Sequence, residues 1–284
     1  MEEMTILHNL QAVLVILLST RTLVSSFKIS DNERILVYGD WLTFHGAHND
    51  GFLVQFKSAV TASAPNATLQ HVGLLDPTAG ELTVEFDKYV ARDDEGLNSP
   101  TPSVIIFMLG QGDIARGVSP KDVSDALQLL LIKALTLPQR PRVVLATPAI
   151  TGDGPASEGA SQWEEGLDEL AASLYKVAVD YDVGLLDLRF PLQKLLQVVH
   201  PINPGHAVLT YDGRVLNPAG HHVILRLFLS YFELAPPRED RTPLGMAPSV
   251  HAWQRDTLSK LANLKMRRVE LKRMTLGHSA RAEL

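Results

Sequence analysis

Five short strand-length runs, most of them apolar, alternate along this chain with stretches of helical spacing, and that alternation restricts the fold more than any other feature. The runs are 34–38 (RILVY), 68–72 (TLQHV), 103–109 (SVIIFML), 142–147 (RVVLAT) and 183–188 (VGLLDL). Each has the length of a strand and is bounded by turn-forming or charged residues. Helical spacing fills the intervals at 52–62, 81–90, 120–135, 163–181, 190–199 and 218–232. Ser119 followed by Pro120 reads as the cap and first residue of one such helix. Polar stretches rich in Gly, Pro or Ser at 93–102 and 151–161 read as loops, as does 200–217. Strands that alternate with helices pair in parallel, with right-handed crossovers and helices on both faces. The expectation is therefore a three-layer α/β/α domain built on a five-stranded parallel sheet.

Sheets of this kind bind ligands at the carboxyl ends of their strands. After the first run stands Gly39-Asp40-Trp41-Leu42-Thr43. After the third stands Gly110-Gln111-Gly112-Asp113, followed by Gly117-Val118-Ser119-Pro120. Before the last helix stands Asp212-Gly213-Arg214-Val215, then Asn217-Pro218-Ala219-Gly220-His221. These segments, in this order, resemble the blocks of the SGNH, or GDSL, hydrolase family over roughly 34–232. That family carries Gly-Asp-Ser-Leu-Thr after its first strand, Gly-x-Asn-Asp after its third, and Asp-x-x-His before its last helix. Gly73-Leu74-Leu75-Asp76-Pro77-Thr78 aligns more loosely with the remaining block, Gly-Ile-Ser-Gly-Asp-Thr. The resemblance implies a flavodoxin-like SGNH fold.

The resemblance also implies a chemistry, and the residues here depart from it. The family transfers acyl groups through a serine, a histidine base and an aspartate that orients the base. Backbone and asparagine N–H groups hold the oxyanion. In this chain Trp41 stands at the nucleophile position, and indole offers one N–H donor and no nucleophile. Val215 stands at the base position and accepts no proton. Gly112 replaces the asparagine, and loss of one such donor costs a serine hydrolase ~3 kcal/mol. Asp76, in the looser alignment, puts a carboxylate where the oxyanion-hole glycine belongs. Asp212 is kept without its partner, which leaves it a capping or bridging role. The positions that build turns and core are kept: Gly39, Leu42, Thr43, Gly110, Asp113 and Gly220. No catalytic residue is expected on these grounds, and no cofactor or metal.

Other groups of chemical interest read more plainly. Thr43 is the nearest hydroxyl to the replaced serine, at a position used for packing. His45, His48 and Asp50 have spacing that suits a metal on a helix, but they fall in a glycine-containing loop and read as solvated. His200 and His206 precede Asp212 and have no serine to activate. His221 and His222 open the last helix as packing residues. Asn66-Ala67-Thr68 is a glycosylation sequon, meaningful only in a secreted chain. The absence of cysteine rules out disulfides, thiolate metal sites and cysteine nucleophiles.

The two ends differ from the body. Residues 5–27 are apolar, most densely at 12–18, but Met1-Glu2-Glu3 lacks the basic start of a signal peptide. A retained hydrophobic helix or anchor is expected over 1–30, with secretion as the alternative if 1–26 is a signal peptide. A mitochondrial setting is compatible with Ser19, Arg21, Ser25, Ser26 and Lys28. An SGNH-like domain follows over 31–235, then a Pro-rich linker and a basic helical tail over 236–284. From 252 to 284 eight Lys or Arg face three acids, in a chain whose net charge is -6. That balance gives no support to nucleic-acid binding. The tail reads equally as a solvated helix or as one that docks on other protein subunits or on membrane lipid. Together these features suggest a catalytically inactive accessory subunit of a membrane-associated complex. The alternatives are an esterase with a non-standard site and a ligand-binding module that uses the old pocket.

Overall fold

Strand β1 (Arg34–Gly39) lies second in a five-stranded, wholly parallel sheet of order β2-β1-β3-β4-β5. The computed structural model describes residues 27–48, 51–90, 101–149, 160–199, 207–211 and 215–235. The other strands are β2 (Thr68–Gly73), β3 (Val104–Met108), β4 (Arg142–Ala146) and β5 (Gly184–Leu186). The helices are α1 (Trp41–Gly46), α2 (Phe52–Ser63), α3 (Ala79–Val90), α4 (Gln111–Ala115), α5 (Pro120–Leu135), α6 (Ala160–Asp180), α7 (Arg189–Val199) and α8 (Pro218–Tyr231). All five expected strands and all six expected helices are present, their ends shifted by a few residues at most. The expected loops at 93–102 and 151–161, the linker, both terminal helices, Asp50, His200, His206 and Asp212 fall wholly or largely outside the described residues.

The two faces of the sheet bury separate cores. Ile35 and Val37 of β1, with Val104, Ile106 and Met108 of β3, pack under α2, α7 and α8. Leu36, Tyr38, Ile105 and Phe107 point the other way, under α3, α5 and α6. Adjacent residues on one strand thus feed opposite cores, which is why these runs are apolar throughout rather than alternating. Phe56, Phe228 and Phe232 form an aromatic cluster in the first core.

The body begins before residue 31. Ile29 is buried, and the Phe27 ring packs against Tyr231 and Phe232 with the Arg142 guanidinium 3.9 Å from its centroid. The Phe27 amide donates to the Tyr231 carbonyl at 3.1 Å.

Two helices differ from the expectation of plain loops at the strand ends. α1 and α4 each occupy little more than a turn. Asp40 caps α1 by accepting the Leu42 amide, and Gly110, at φ 104°, turns the chain into α4. Only glycine takes that conformation without strain. His45 therefore sits on a helix, not in a loop, and His48 follows directly after it.

Candidate active site

The order β2-β1-β3 places the point where the chain's direction of winding reverses between β1 and β3, the usual place for a ligand crevice. Gly39-Asp40 and Gly110-Gln111-Gly112 meet there. A side chain at Gly39 would come within 2.0 Å of the Met108 carbonyl oxygen, so only glycine lets the two strands end so close. The Asp40 amide donates to that same carbonyl.

Asp40 organises the crevice. Its carboxylate is buried and accepts three backbone amides: Leu42 at 3.2 Å, Gly110 at 3.1 Å and Gly112 at 3.4 Å. Burial raises its pKa to about 6, against the lowering effect of the Leu42 and Gly112 amides, and nearby Asp113 adds to the rise. Asp113, also buried, receives the Ala79 amide on both oxygens at 3.1 and 3.2 Å. It thereby caps α3 from across the crevice. Burial raises its pKa too, opposed by the Ala79 amide and by Arg116.

Trp41, expected from the sequence at the serine position, is the first residue of α1 and half-buried. Its ring lies beside Gly112: a Cβ there would stand 3.5 Å from Trp41 Cδ1. The indole also meets His45 edge to face, with centroids 5.8 Å apart. His45 in turn acts on His221, whose pKa falls to about 4, first through burial and then through the His45 charge. His221 is thus a neutral ring near pH 7, stacked 6.0 Å from Phe52. Its Nδ1 is buried with no hydrogen-bond partner among the described residues. His48 turns its Nδ1 to the Phe44 carbonyl. The described residues contain no group of three or more His, Asp or Glu placed to hold a metal ion.

Thr43 Oγ1 is fully buried and makes no hydrogen bond among the described residues. It lies against Gly39, where an added Cβ would stand 2.3 Å from it. Such a hydroxyl packs and presents nothing to a substrate.

Asp76 differs from the bare carboxylate expected from the sequence. It lies in the turn after β2, four-fifths exposed, and forms an ion pair with Arg116. Arg116 also donates to the Asp76 carbonyl at 3.1 Å and to the Pro77 carbonyl at 2.7 Å, and stands 4.0 Å from Asp113. Its guanidinium clasps the turn after β2 to α4 and neutralises the charge at that edge. Nothing in the sequence pointed to Arg116, because the turn it clasps lies about 40 residues away. Thr78 and Glu81 complete the turn as a capping box at the start of α3.

Val215 lies on the second arm of a short hairpin in which Thr210 bridges Leu216. Its carbonyl accepts the Tyr211 amide at 2.8 Å. Asn217 caps α8 and donates to the Val208 and Thr210 carbonyls, fixing the hairpin to the helix. Gly220 lets that helix press on the hairpin, since a Cβ there would meet the Leu209 carbonyl oxygen at 2.1 Å.

A second polar cluster stands at the ends of β4 and β5. Thr147 receives the Leu188 and Arg189 amides and donates to Asp187 at 3.0 Å, and Asp187 also receives the Tyr175 hydroxyl. Burial, then the Asp187 partner, pushes the Tyr175 phenol well above its ordinary range. Arg189 is almost fully buried yet bonded to Asp168, Glu164 and the Ala149 carbonyl.

Between these groups lies a cavity of only about 10 Å³, lined by Asp40, Leu42, Met108, Leu109, Gln111, Thr147 and Pro148. It has room for one water at most. A wider open groove of about 670 Å³ runs outside it along the start of α3, past Asp76, Thr78, Glu81 and Glu85.

Strand order, helix layers and the glycine-lined switch point are those of the SGNH, or GDSL, hydrolase fold. Among solved structures the chain is similar to an acetyl xylan esterase at 20% identity and TM-score 0.59, covering 69% of this chain and 98% of that one. It is similar to an acetylxylan esterase from Geobacillus stearothermophilus at 18% identity and TM-score 0.60, covering 75% and 100%. A lipolytic protein of the G-D-S-L family from Veillonella parvula matches at 17% identity and TM-score 0.54, covering 70% and 98%. No family model matches the chain, and no curated protein sequence does.

Proposed function

We propose that this chain is a non-hydrolytic SGNH-fold protein that serves as an accessory body in a larger assembly. One observation carries the reading. Trp41 takes the first helical position after the Asp40 cap, the position that the resemblance aligns with the family's serine, and its ring, which carries no nucleophile, lies beside Gly112. Three further features support it. Val215 has no proton to exchange. Gly112 has no side chain, so it supplies no amide donor of the kind an asparagine would offer an oxyanion. The enclosed cavity beside Asp40 at the strand ends, about 10 Å³, holds no more than one water. What remains intact is the framework of glycines, caps and cores that makes the body rigid.

The test is hydrolysis of p-nitrophenyl acetate. The wild-type chain is expected to release p-nitrophenol no faster than buffer. The variant Trp41→Ser, Val215→His, Gly112→Asn, Asp76→Gly is expected to gain measurable turnover. Enzyme-like turnover by the wild-type chain, abolished by Thr43→Ala or His206→Ala, would establish the esterase reading instead. Purification under native conditions tests the second half: a larger species supports the accessory role, and a lone monomer removes it.

A further inference from the structure

Asn66-Ala67-Thr68 is the only Asn-x-Ser/Thr triplet in the chain, and Leu69 rather than proline follows it. It falls in the turn between α2 and β2. Asn66 and Thr68 are exposed, while Ala67 between them is buried and anchors the turn in the core. Both polar residues of the triplet therefore stand in solvent on a fixed backbone.

The Asp31 carboxylate holds this turn. It accepts the Asn66 backbone amide at 2.9 Å and the Asn66 side-chain amide at 2.7 Å. The Ala67 amide donates to the Ala64 carbonyl at 3.0 Å, and the Thr68 amide to the Glu33 carbonyl at 2.8 Å. An asparagine side-chain nitrogen carries two hydrogens. Asp31 takes one, so replacing the other by a sugar carbon leaves every one of these bonds in place. The folded turn thus accommodates a glycan on Asn66 without rearrangement.

The turn also opens onto an edge. β2 is the outermost strand on its side of the sheet and pairs there with β1. Beyond Leu69 its residues are only half-buried. A sheet edge is a template for pairing with another chain, and proteins cover or blunt such edges. A large hydrated group two residues before the start of β2 obstructs that approach. Thr68 is in register with Arg34, the first residue of β1, so the site lies at the amino ends of the strands. Trp41 and Gly112 stand at the carboxyl ends and are left uncovered.

We propose that Asn66 carries an N-linked glycan that shields the β2 edge, the apolar stretch 5–27 delivering the body to the lumenal compartment where such transfer takes place. In the transfer the Asn66 side-chain nitrogen bonds to the anomeric carbon of an oligosaccharide carried on a lipid pyrophosphate. The bond from that carbon to the pyrophosphate oxygen breaks, the pyrophosphate leaves with the electron pair, and the nitrogen gives up one proton. The Thr68 hydroxyl completes the acceptor motif. The proposal goes beyond the reading of the Trp41 crevice and does not rest on it.

The experiment expresses the full chain, with its own residues 1–30, in cultured human cells. The protein is expected to migrate as a band that peptide-N-glycosidase shifts to lower mass. Mass spectrometry of the tryptic peptide 58–88 is expected to find aspartate in place of Asn66 after that treatment. Asn66→Gln and Thr68→Ala are expected to lose the shift, and Thr68→Ser to keep it at least in part. Thr68→Ala retains both bonds between Asn66 and Asp31, so its loss of modification is not a loss of the turn. A wild-type band that the enzyme leaves unmoved, or a shift that survives Asn66→Gln, would overturn the proposal. A companion chain in which residues 1–26 are exchanged for a cleavable signal peptide separates the two ways of failing. Modification of that chain alone overturns the delivery, and modification of neither overturns the acceptor site. Light scattering on warming tests the shield: the enzymatically deglycosylated protein is expected to aggregate faster than the glycan-bearing one, and equal rates would remove that role.

Discussion

The Asp40 carboxylate receives the backbone amide of Gly110 at 3.1 Å, across 70 residues of sequence. With the amides of Leu42 and Gly112 it joins the end of β1 to the turn after β3. Removing the carboxylate leaves three amide donors without that acceptor, in a place with room for no more than one water. Asp40→Ala is expected to destabilise the fold by about 3 kcal/mol or more, measured by urea denaturation.

The same carboxylate makes stability depend on pH. Its pKa is about 6 in the folded protein and near 3.8 when unfolded. Folding therefore favours the protonated form. The contribution of Asp40 is most favourable below about pH 4 and declines as pH rises through 6, by ~3 kcal/mol in all. Asp40→Asn cannot ionise. Its stability relative to wild type is expected to rise by up to that amount between pH 4 and pH 7. A difference that stays constant across this range would show the carboxylate to be an ordinary one.

His221 acts in the opposite direction. Its pKa is about 4 folded, against 6.5 for the free side chain. Folding favours the neutral ring, so its contribution is complete above pH 6.5 and is lost as pH falls toward 4. His221→Phe, which keeps the ring beside Phe52, is expected to flatten the acid limb of the stability curve by roughly 2 kcal/mol. Denaturation midpoints at pH 7 and pH 4.5 for both chains decide the matter.

Arg116 and Asp76 form one ion pair whose two halves are unequal. Arg116→Ala removes the bonds to the Pro77 and Asp76 carbonyls and the cation beside Asp113, and is expected to cost about 1–2 kcal/mol. Asp76→Ala removes a carboxylate that is 81% exposed, and is expected to cost less than about 1 kcal/mol. A larger loss from Asp76→Ala in thermal melts would mean that the clasp works through charge rather than through the carbonyls.

Two glycines with φ in the left-handed range separate strain from packing. At Gly110 an added Cβ would stand 2.7 Å from Val123 Cγ1 and 2.8 Å from Leu170 Cδ2, while at Gly117 it meets nothing within 4 Å. Gly117→Ala is expected to cost about 1 kcal/mol from backbone strain alone. Gly110→Ala adds overpacking and is expected to cost at least about 2 kcal/mol more. Equal losses in chemical denaturation would show that the core under α4 yields freely.

The central strands β1, β3 and β4 were legible because each is buried on both faces and writes a nearly unbroken apolar run into the sequence, whereas edge strand β2, only partly buried, carries Gln70 and His71. The longer helices were legible because their caps are local: Ser119 bonds the Asp122 amide, and Asn217 bonds the Gly220 amide. α1 and α4 were not. Helices of six and five residues are too short to display a period. α1 owes its cap to Asp40 and α4 its entry to Gly110, two residues that the fold brings together from 70 positions apart. The positions of Trp41 and Gly112 were legible through the turn glycines around them, and the structure sets them side by side. The pairing of Asp76 was hidden because a surface turn and an arginine on a distant helix share no pattern in sequence. The buried Arg189 was equally hidden, its acceptors Asp168 and Glu164 lying on a different helix.

The bond between Phe27 and Tyr231 also closes the described body into a ring. Its first and last packed segments touch, while the groups at the carboxyl ends of the strands lie at the far side. A chain covalently joined at this junction and reopened in a surface turn such as 138–140 would keep every strand pairing intact. For the same reason the whole body could be spliced into a single loop of a host protein, entering and leaving at one point, without stretching any of the five strands.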